Sequence, residues 1–328
     1  MTKPKLITVT LNPAVDTAYQ LDKLKIGEST RTKNPLKSAG GKGLNATRVA
    51  KLLGEDIIAT GFLGGSNGAF IRDQLEQLGV TDEFIQVQGE TRQCLSFIDS
   101  EKNQTEILEE GPCISECEAK LFEEKVAELL TETVGVAEAS GGQGAGCSAV
   151  LAVSGSLPKG FVSGLYRMIL AEAKKSGIKV ILDTSGQALI DCIEDGPYLI
   201  KPNLQELEQV LGYKCQNEDE IWAAMEKLQE KGIKVVIVSD GENGSLVLYE
   251  DKHYRVSTAN IEATSAVGSG DSFIAGFAAG MVRGYSIEQT LVLASACGAA
   301  NAMEERTGYI NLDTVGALIE QITVDMVK

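Results

Sequence analysis

The alternation of short apolar runs with helical stretches is the strongest constraint on how this chain can fold. Aliphatic and β-branched residues cluster at 6–11, 57–61, 149–153, 179–183, 198–201 and 234–239, and helical periodicity separates them, as at 68–78, 162–175 and 218–231. Strands that alternate with helices predict a mostly parallel sheet covered by helices on its faces. Gly54, Gly79, Gly177 and Gly232 stand where those helices should close, because glycine accepts the left-handed conformation that ends a last turn. Ser115 with Glu118 predicts the capping box of another helix. With 328 residues, 43% of them hydrophobic, the chain can bury a large core. The regular alternation favours one α/β domain spanning 1–328 with an appendage over two domains. Two segments break the rhythm, 15–36 and 90–111. Within the second, 92–98 and 104–108 alternate like antiparallel strands. They predict a small sheet outside the main one, or else an ordinary edge extension.

Two clusters carry chemistry. In the first, Val267, Gly268, Ser269, Gly270, Asp271 and Ser272 open an apolar helical stretch. Small residues let the backbone approach an anion, and the unpaired amides of a first helical turn face it with the positive end of the dipole. Asp271 beside such a turn is placed to take a proton from an attacking hydroxyl, while the amides of Gly268, Ser269 and Gly270 stabilise charge on a transferring group. An acidic residue at a helix start also stabilises any helix, so the run alone does not decide. A dinucleotide fingerprint would need glycine three residues after Gly270, where Phe273 stands. That spacing argues against a nicotinamide dehydrogenase.

The second cluster lies near the N-terminus. Asn12, Pro13 and Asp16 follow a short apolar run, and Gly40, Gly41, Lys42, Gly43 and Asn45 lead into an amphipathic segment. Polar groups at strand ends and helix starts converge on a cleft in α/β folds. Gly41 and Lys42 do not make a phosphate-binding Walker loop, because positions 36 and 43 are Leu36 and Gly43. Taken singly, each piece is explained by a turn or a helix start.

Together these clusters resemble the ribokinase-like carbohydrate kinases, and intervening matches point to the phosphosugar branch. The matching residues occur in the family's order and spacing: Asn12 with Asp16, Thr91 to Cys94, Ser154 to Pro158, Lys201 with Asn203 and Glu206, and Gly268 to Asp271. The similarity spans nearly the whole chain. It implies a ribokinase-like α/β fold, a mostly parallel sheet flanked by helices, with 15–36 and 90–111 forming a small β-sheet lid that pairs in a homodimer. Residues 103–109, Gly111 with Pro112, Ser269, and 307–312 resemble the tagatose-6-phosphate enzymes of that branch. The implied reaction is transfer of the γ-phosphate of ATP, with Mg²⁺, to C1 of tagatose 6-phosphate. The alternative is 1-phosphofructokinase chemistry at C6 of fructose 1-phosphate. A catalytically silent sugar-phosphate or nucleotide sensor on the same fold is the reading from another class, and the intact Asp271 and anion turn argue against it.

The resemblance assigns Asp16, Gly40, Gly41, Lys42, Asn45 and Arg92 to the sugar site. Arg31 is a further phosphate contact or a surface ion pair, and Ser154 faces the cleft or caps a turn. Asn203 is expected near the ATP phosphates, and Glu206 supports Mg²⁺ through water. The same two residues would equally form a helix cap. Ser239, Gly241 and Gly244 match the family's turn beside the nucleotide, with Asp240 in place of the usual apolar residue. Ala266 stands where Pro or Thr is common. Gly298 and Asn301 resemble the adenine-side wall, or else pack in the core.

Composition narrows partners and location. Thirty basic against 46 acidic residues give a formal charge of −16, a poor surface for nucleic acid, so cations must gather locally to hold an anionic substrate. No run of about 18 apolar residues predicts a membrane span, and a strand is expected directly after residue 5. A cytoplasmic protein with no membrane partner is therefore expected. Seven scattered cysteines without C-x-x-C spacing predict free thiols of a reducing compartment. The only histidine, His253, is expected on the surface of a hairpin, which argues against a His/Cys zinc site and histidine catalysis. The glycine-rich stretch 135–147 predicts a surface loop without a phosphate-binding role.

Overall fold

The computed structural model describes residues 5–33, 35–101, 103–139, 149–160, 162 and 164–327. Among them, eleven strands form the main sheet. Lys5–Thr10 lies toward one end of the sheet order, between Ala149–Ser154 and Ile57–Gly64, with parallel pairing on both sides. Parallel pairing continues through Lys179–Asp183, Leu199–Ile200 and Val235–Ser239. The hairpin of Ser245–Tyr249 and Lys252–Val256, and then Val324–Met326, complete that edge in antiparallel fashion. The predicted strand at 198–201 is reduced to two residues, because Lys201 and Pro202 already turn toward a helix.

Each central strand feeds two cores, since successive side chains point to opposite faces. Leu6, Val150, Ala152 and Ile181 join the core under helices Lys42–Leu52, Ser269–Arg283 and Ile287–Ala302. Ile7, Val9, Leu151, Val153, Val180 and Leu182 join the opposite one, under Glu116–Ala139 and Leu165–Lys175. The expected helix closures hold at Gly54, Gly79, Gly177 and Gly232, all at positive φ. Ser115 and Glu118 form their capping box.

A second sheet of four strands runs in the order Leu36–Gly40, Ala14–Gln20, Arg92–Ile98, Gln104–Leu108. Arg92–Ile98 and Gln104–Leu108 are antiparallel, as their alternation predicts. The sheet also includes Leu36–Gly40, beyond the expected boundary at 36, because the strand runs straight into the glycines of the next helix start.

Two expectations are corrected. His253 is buried, 5% exposed, with its ring tilted over Trp222 at 4.6 Å and Nε2 3.1 Å from Glu226, so the hairpin packs this face inward. The loop expected from 135 does not start there, since the helix continues to Ala139; positions 140–148, with most of the glycines and Cys147, lie outside the described residues. The other six cysteines are free thiols. No helix among the described residues is long and apolar enough to cross a membrane.

Candidate active site

The carboxyl ends of the parallel strands deliver the chemistry to one edge, as expected for an open α/β sheet. Asp271 sits in the first turn of Ser269–Arg283, after Gly268 at φ 85°. A β-carbon at position 268 would come within 2.7 Å of Thr307 Cγ2, so both the turn and the crowding require glycine. Asp271 is 7% exposed, and its Oδ2 accepts from Asn45 Nδ2 at 2.8 Å. Burial pushes its carboxyl up to about 6, helped by the charge of Asp183; the Asn45 bond and the ammonium groups of Lys42 and Lys201 pull the other way. Such a group is ionised at neutral pH and still basic enough to receive a proton, which is how a general base is tuned.

A second buried carboxylate organises the cations. Asp183, 4% exposed at the end of its strand, lies 3.9 Å from Lys42 Nζ and 3.7 Å from Lys201 Nζ. Asp183 holds the Lys42 ammonium above its ordinary value despite burial, with smaller help from Asp271 and Glu206. Lys201 Nζ lies 3.3 Å from where a β-carbon on Gly270 would be, so an ammonium borders the anion turn. Two cations beside helix-start amides suit a polyphosphate. Neither Asp183 nor Lys201 was assigned a role from sequence, although both end a strand at the edge where ligands bind.

Asp16, Gly41, Lys42, Asn45, Arg92, Gly268, Gly270 and Asp271 line one cavity of about 420 Å³, together with Asp183 and Lys201. Its far wall is the small sheet, which contributes Lys37, Gln104 and Glu106. Burial raises the Asp16 carboxyl to about 6 against the charges of Arg48 and Arg92. Gly40 is required beside it, since a β-carbon there would fall 2.0 Å from Asp16 Oδ2. Arg92 is anchored by donating to the Asn12 carbonyl at 3.2 and 3.0 Å and to the Glu109 carbonyl at 3.1 Å. Arg31 is exposed in the connection before Leu36 and does not line the cavity. Ser154 does not line it either; its hydroxyl, like that of Ser269, is buried without a hydrogen-bond partner among the described residues.

Of the residues expected beside the nucleotide, Asn203, Glu206, Ser239, Gly241 and Gly244 gather at the ends of Leu199–Ile200 and Val235–Ser239, where Asn203 bridges Ser239, while Gly298 and Asn301 lie on Ile287–Ala302. Asn203 and Glu206 form a full capping box, with 2.9 Å bonds in both directions. Gly241 begins a short 3-10 turn that Asp240 closes by accepting from Asn243 at 3.0 Å, so the departure at 240 serves the turn itself. Gly244 packs against the Val256 carbonyl, and Gly298 against that of Ser269. Asn301 is 1% exposed: its amide donates to the Val267 carbonyl at 3.0 Å, and its oxygen accepts from Ser272 Oγ and the Gly308 amide, both at 2.8 Å. Its side chain thus faces the anion turn from within the protein.

Among the described residues no three or more His, Cys, Asp or Glu side chains converge as a metal cage. Glu206, whose cap uses Oε2, offers a single carboxylate, which fits a Mg²⁺ that keeps much of its water and is carried by phosphates. Arg48, Arg306 and Tyr309 also gather beside the cavity, none with a site role expected from the sequence. Arg48 is 2% exposed and stacks over the Tyr309 ring at 4.8 Å, with Arg306 at 5.3 Å from the same ring. An arginine on the buried face of a helix was the available signal.

Residues 9–314 match the pattern of the pfkB family carbohydrate kinases. The chain is 41% identical to a tagatose-6-phosphate kinase of Staphylococcus epidermidis over 322 residues, covering 97% of this chain and 99% of that one. Its fold superposes on phosphofructokinase-2 of Escherichia coli, solved in complex with potassium, with a TM-score of 0.86, 25% identity and coverage of 98% and 99%. It also superposes on a Thermotoga maritima protein described as a possible 1-phosphofructokinase, with a TM-score of 0.85, 25% identity and coverage of 99% and 100%. With a buried carboxylate at an anion turn, two lysines beside it and a family match over nearly the whole length, this chain belongs to the pfkB family of carbohydrate kinases.

Proposed function

We propose that this kinase transfers the γ-phosphate of ATP to C1 of tagatose 6-phosphate, giving the 1,6-bisphosphate. The observation that carries this reading is the shared cavity: Asp271 beside the anion turn, with Asp16 and Arg92 facing the same space. The 41% identity to a tagatose-6-phosphate kinase along the whole length supports the choice of sugar. Asp16 and Asn45 orient hydroxyls, and Arg92 neutralises the sugar's own phosphate. Asp271 accepts the proton of the C1 hydroxyl as its oxygen attacks the γ-phosphorus in line and ADP leaves, so no phosphoenzyme forms. The amides of Gly268, Ser269 and Gly270, with Lys42 and Lys201, offset charge on the group in flight. Mg²⁺, supported by Glu206 through water, would neutralise charge on the nucleotide phosphates. Asn203, Ser239, Gly241 and Gly244 border the nucleotide.

The small sheet acts as a lid that excludes water. It also joins two subunits, since every residue of Gln104–Leu108 is exposed, including Ile107 at 55%, which does not line the cavity. Buried apolar surface is the natural use of such an edge strand. Fructose 1-phosphate phosphorylated at C6 is the second reading, favoured by the likeness to the Thermotoga protein. Parallel assays of kcat/KM with Mg-ATP and tagatose 6-phosphate, fructose 1-phosphate or fructose 6-phosphate decide between them. Preference for tagatose 6-phosphate is expected. Preference for fructose 1-phosphate would keep the chemistry and reverse the substrate, and no turnover of any would contradict the proposal.

A further inference from the structure

Arg48 is a buried cation that the mechanism above does not use. Among the described residues no carboxylate lies within ion-pair distance of it, and burial disfavours its charge. A desolvated guanidinium is retained at a considerable free-energy cost unless its donors are satisfied. Its two terminal nitrogens meet fixed oxygens. Nη1 donates to Asn45 Oδ1 at 3.2 Å, to the Thr307 carbonyl at 3.1 Å and to the Gly308 carbonyl at 3.4 Å, while Nη2 donates to the Ala39 carbonyl. The face of Tyr309 covers the group.

The contact with Asn45 has a chemical consequence. Guanidinium has donors and no acceptor, so the Asn45 atom that meets Arg48 must be the oxygen. The amide nitrogen is then forced toward Asp271, where it donates at 2.8 Å. An ionised Asp271 accepts only, so it favours the same orientation; Arg48 holds the oxygen end, and without it the amide is free to swing away from the carboxylate. The hydrogen bonds also close on themselves: Gly308 donates to Asn301, and Asn301 holds Val267 and Ser272 on either side of the anion turn. Ala39 belongs to strand Leu36–Gly40 of the small sheet.

We propose that Arg48 is a positioning residue: it clamps Asn45 so that an N–H faces Asp271, and its grip on Ala39 ties that orientation to the seating of the small sheet. This rests on the reading of Asp271 as the base. Other charges facing Asp271 are Asp183 at the end of its strand, Lys42 on the same helix as Arg48, and Lys201 after Leu199–Ile200. Asp16, on the small sheet, faces Arg48, Arg92 and Glu106.

The test is steady-state kinetics with tagatose 6-phosphate and Mg-ATP across pH 5–9 for the intact enzyme and for Arg48→Met, Arg48→Lys and Asp271→Asn, with thermal unfolding of each. For Arg48→Met, kcat should fall about 10- to 100-fold, the size expected for a misplaced catalytic group. KM for the sugar should change several-fold less, and the acid limb of the profile should move to higher pH as the carboxylate loses its donor. Arg48→Lys, which keeps the charge without the fork, should show a smaller loss and a smaller shift. Unchanged kcat and acid limb in a folded Arg48→Met, or in Arg48→Lys where the former does not fold, would overturn the proposal. Failure of both to fold would assign Arg48 to structure alone and overturn it too. Absence of turnover by the intact enzyme, or near-normal turnover by Asp271→Asn, would instead refute the functional reading beneath it.

Discussion

Around the anion turn, Asp271, Ser272 and Asn301 are buried and joined by hydrogen bonds to three different segments, whereas across the cavity every residue of Arg92–Ile98 is half-exposed and every residue of Gln104–Leu108 is exposed. The first region hangs on the core between helices Ser269–Arg283 and Ile287–Ala302. The second is held by its strand ladder and by contacts such as the Tyr19 and Phe97 stack at 5.3 Å. A base must be preorganised, because misplacement raises the barrier directly. A wall that admits and releases a sugar must open, and elements with few buried apolar contacts open at low free-energy cost. On the proposed function, turnover belongs to the first region and substrate capture to the second.

The largest effect should come from the buried side. Asp271→Asn is predicted to lower kcat by about 10²- to 10⁴-fold, the typical contribution of a positioned base. The same change should stabilise the fold at neutral pH. A carboxyl raised to about 6 holds its proton more tightly in the folded state, so its contribution to stability is full below its ordinary value of 3.8 and is lost as pH rises through 6. Above that, the ionised group opposes folding by roughly 3 kcal/mol, and an amide that still accepts the Asn45 bond removes this. A higher melting temperature at pH 8, with the difference vanishing at pH 4, would sharpen the comparison; a lower one would break it.

Arg92→Ala tests the opposite wall. Loss of a charge-assisted contact is worth about 10- to 100-fold in binding, so KM for the sugar phosphate should rise by that factor while kcat changes little. A loss of kcat at constant KM would place Arg92 with the catalytic machinery. Asp183→Asn probes the junction between the regions. Because the charge of Asp183 raises the Asp271 carboxyl, removing it should move the acid limb of kcat/KM to lower pH. An unmoved limb would show that the two carboxylates do not communicate. The smallest effect on the single chain is expected for Ile107→Lys, within about 0.5 kcal/mol of stability, since this side chain is exposed and does not line the cavity. Light scattering should nevertheless show a shift from dimer to monomer.

The sequence resolved these regions unequally, for physical reasons. Strand and helix periodicity located the main sheet, because residues 149–153 or 180–182 are buried on both faces and read as continuous apolar runs. The anion turn and the capping boxes at Ser115 and Asn203 were legible because their spacing is local. Strand Leu36–Gly40 was hidden, since its last residues also serve the glycine motif. The Asp183 link to Lys42 and Lys201 joins three distant segments, and no local pattern marks it. Arg48 looked like an ordinary helix residue until the fold brought Ala39, Thr307 and Gly308 around it. His253 was misplaced for a similar reason: Trp222, thirty-one positions earlier, covers it.

The most direct test of this division is calorimetric binding of tagatose 6-phosphate to the Asp271→Asn and Arg92→Ala proteins beside the unaltered enzyme. The account predicts affinity within about threefold of normal for Asp271→Asn and weakened by about tenfold or more for Arg92→Ala. The reverse pattern, with binding lost at Asp271 and preserved at Arg92, would contradict it.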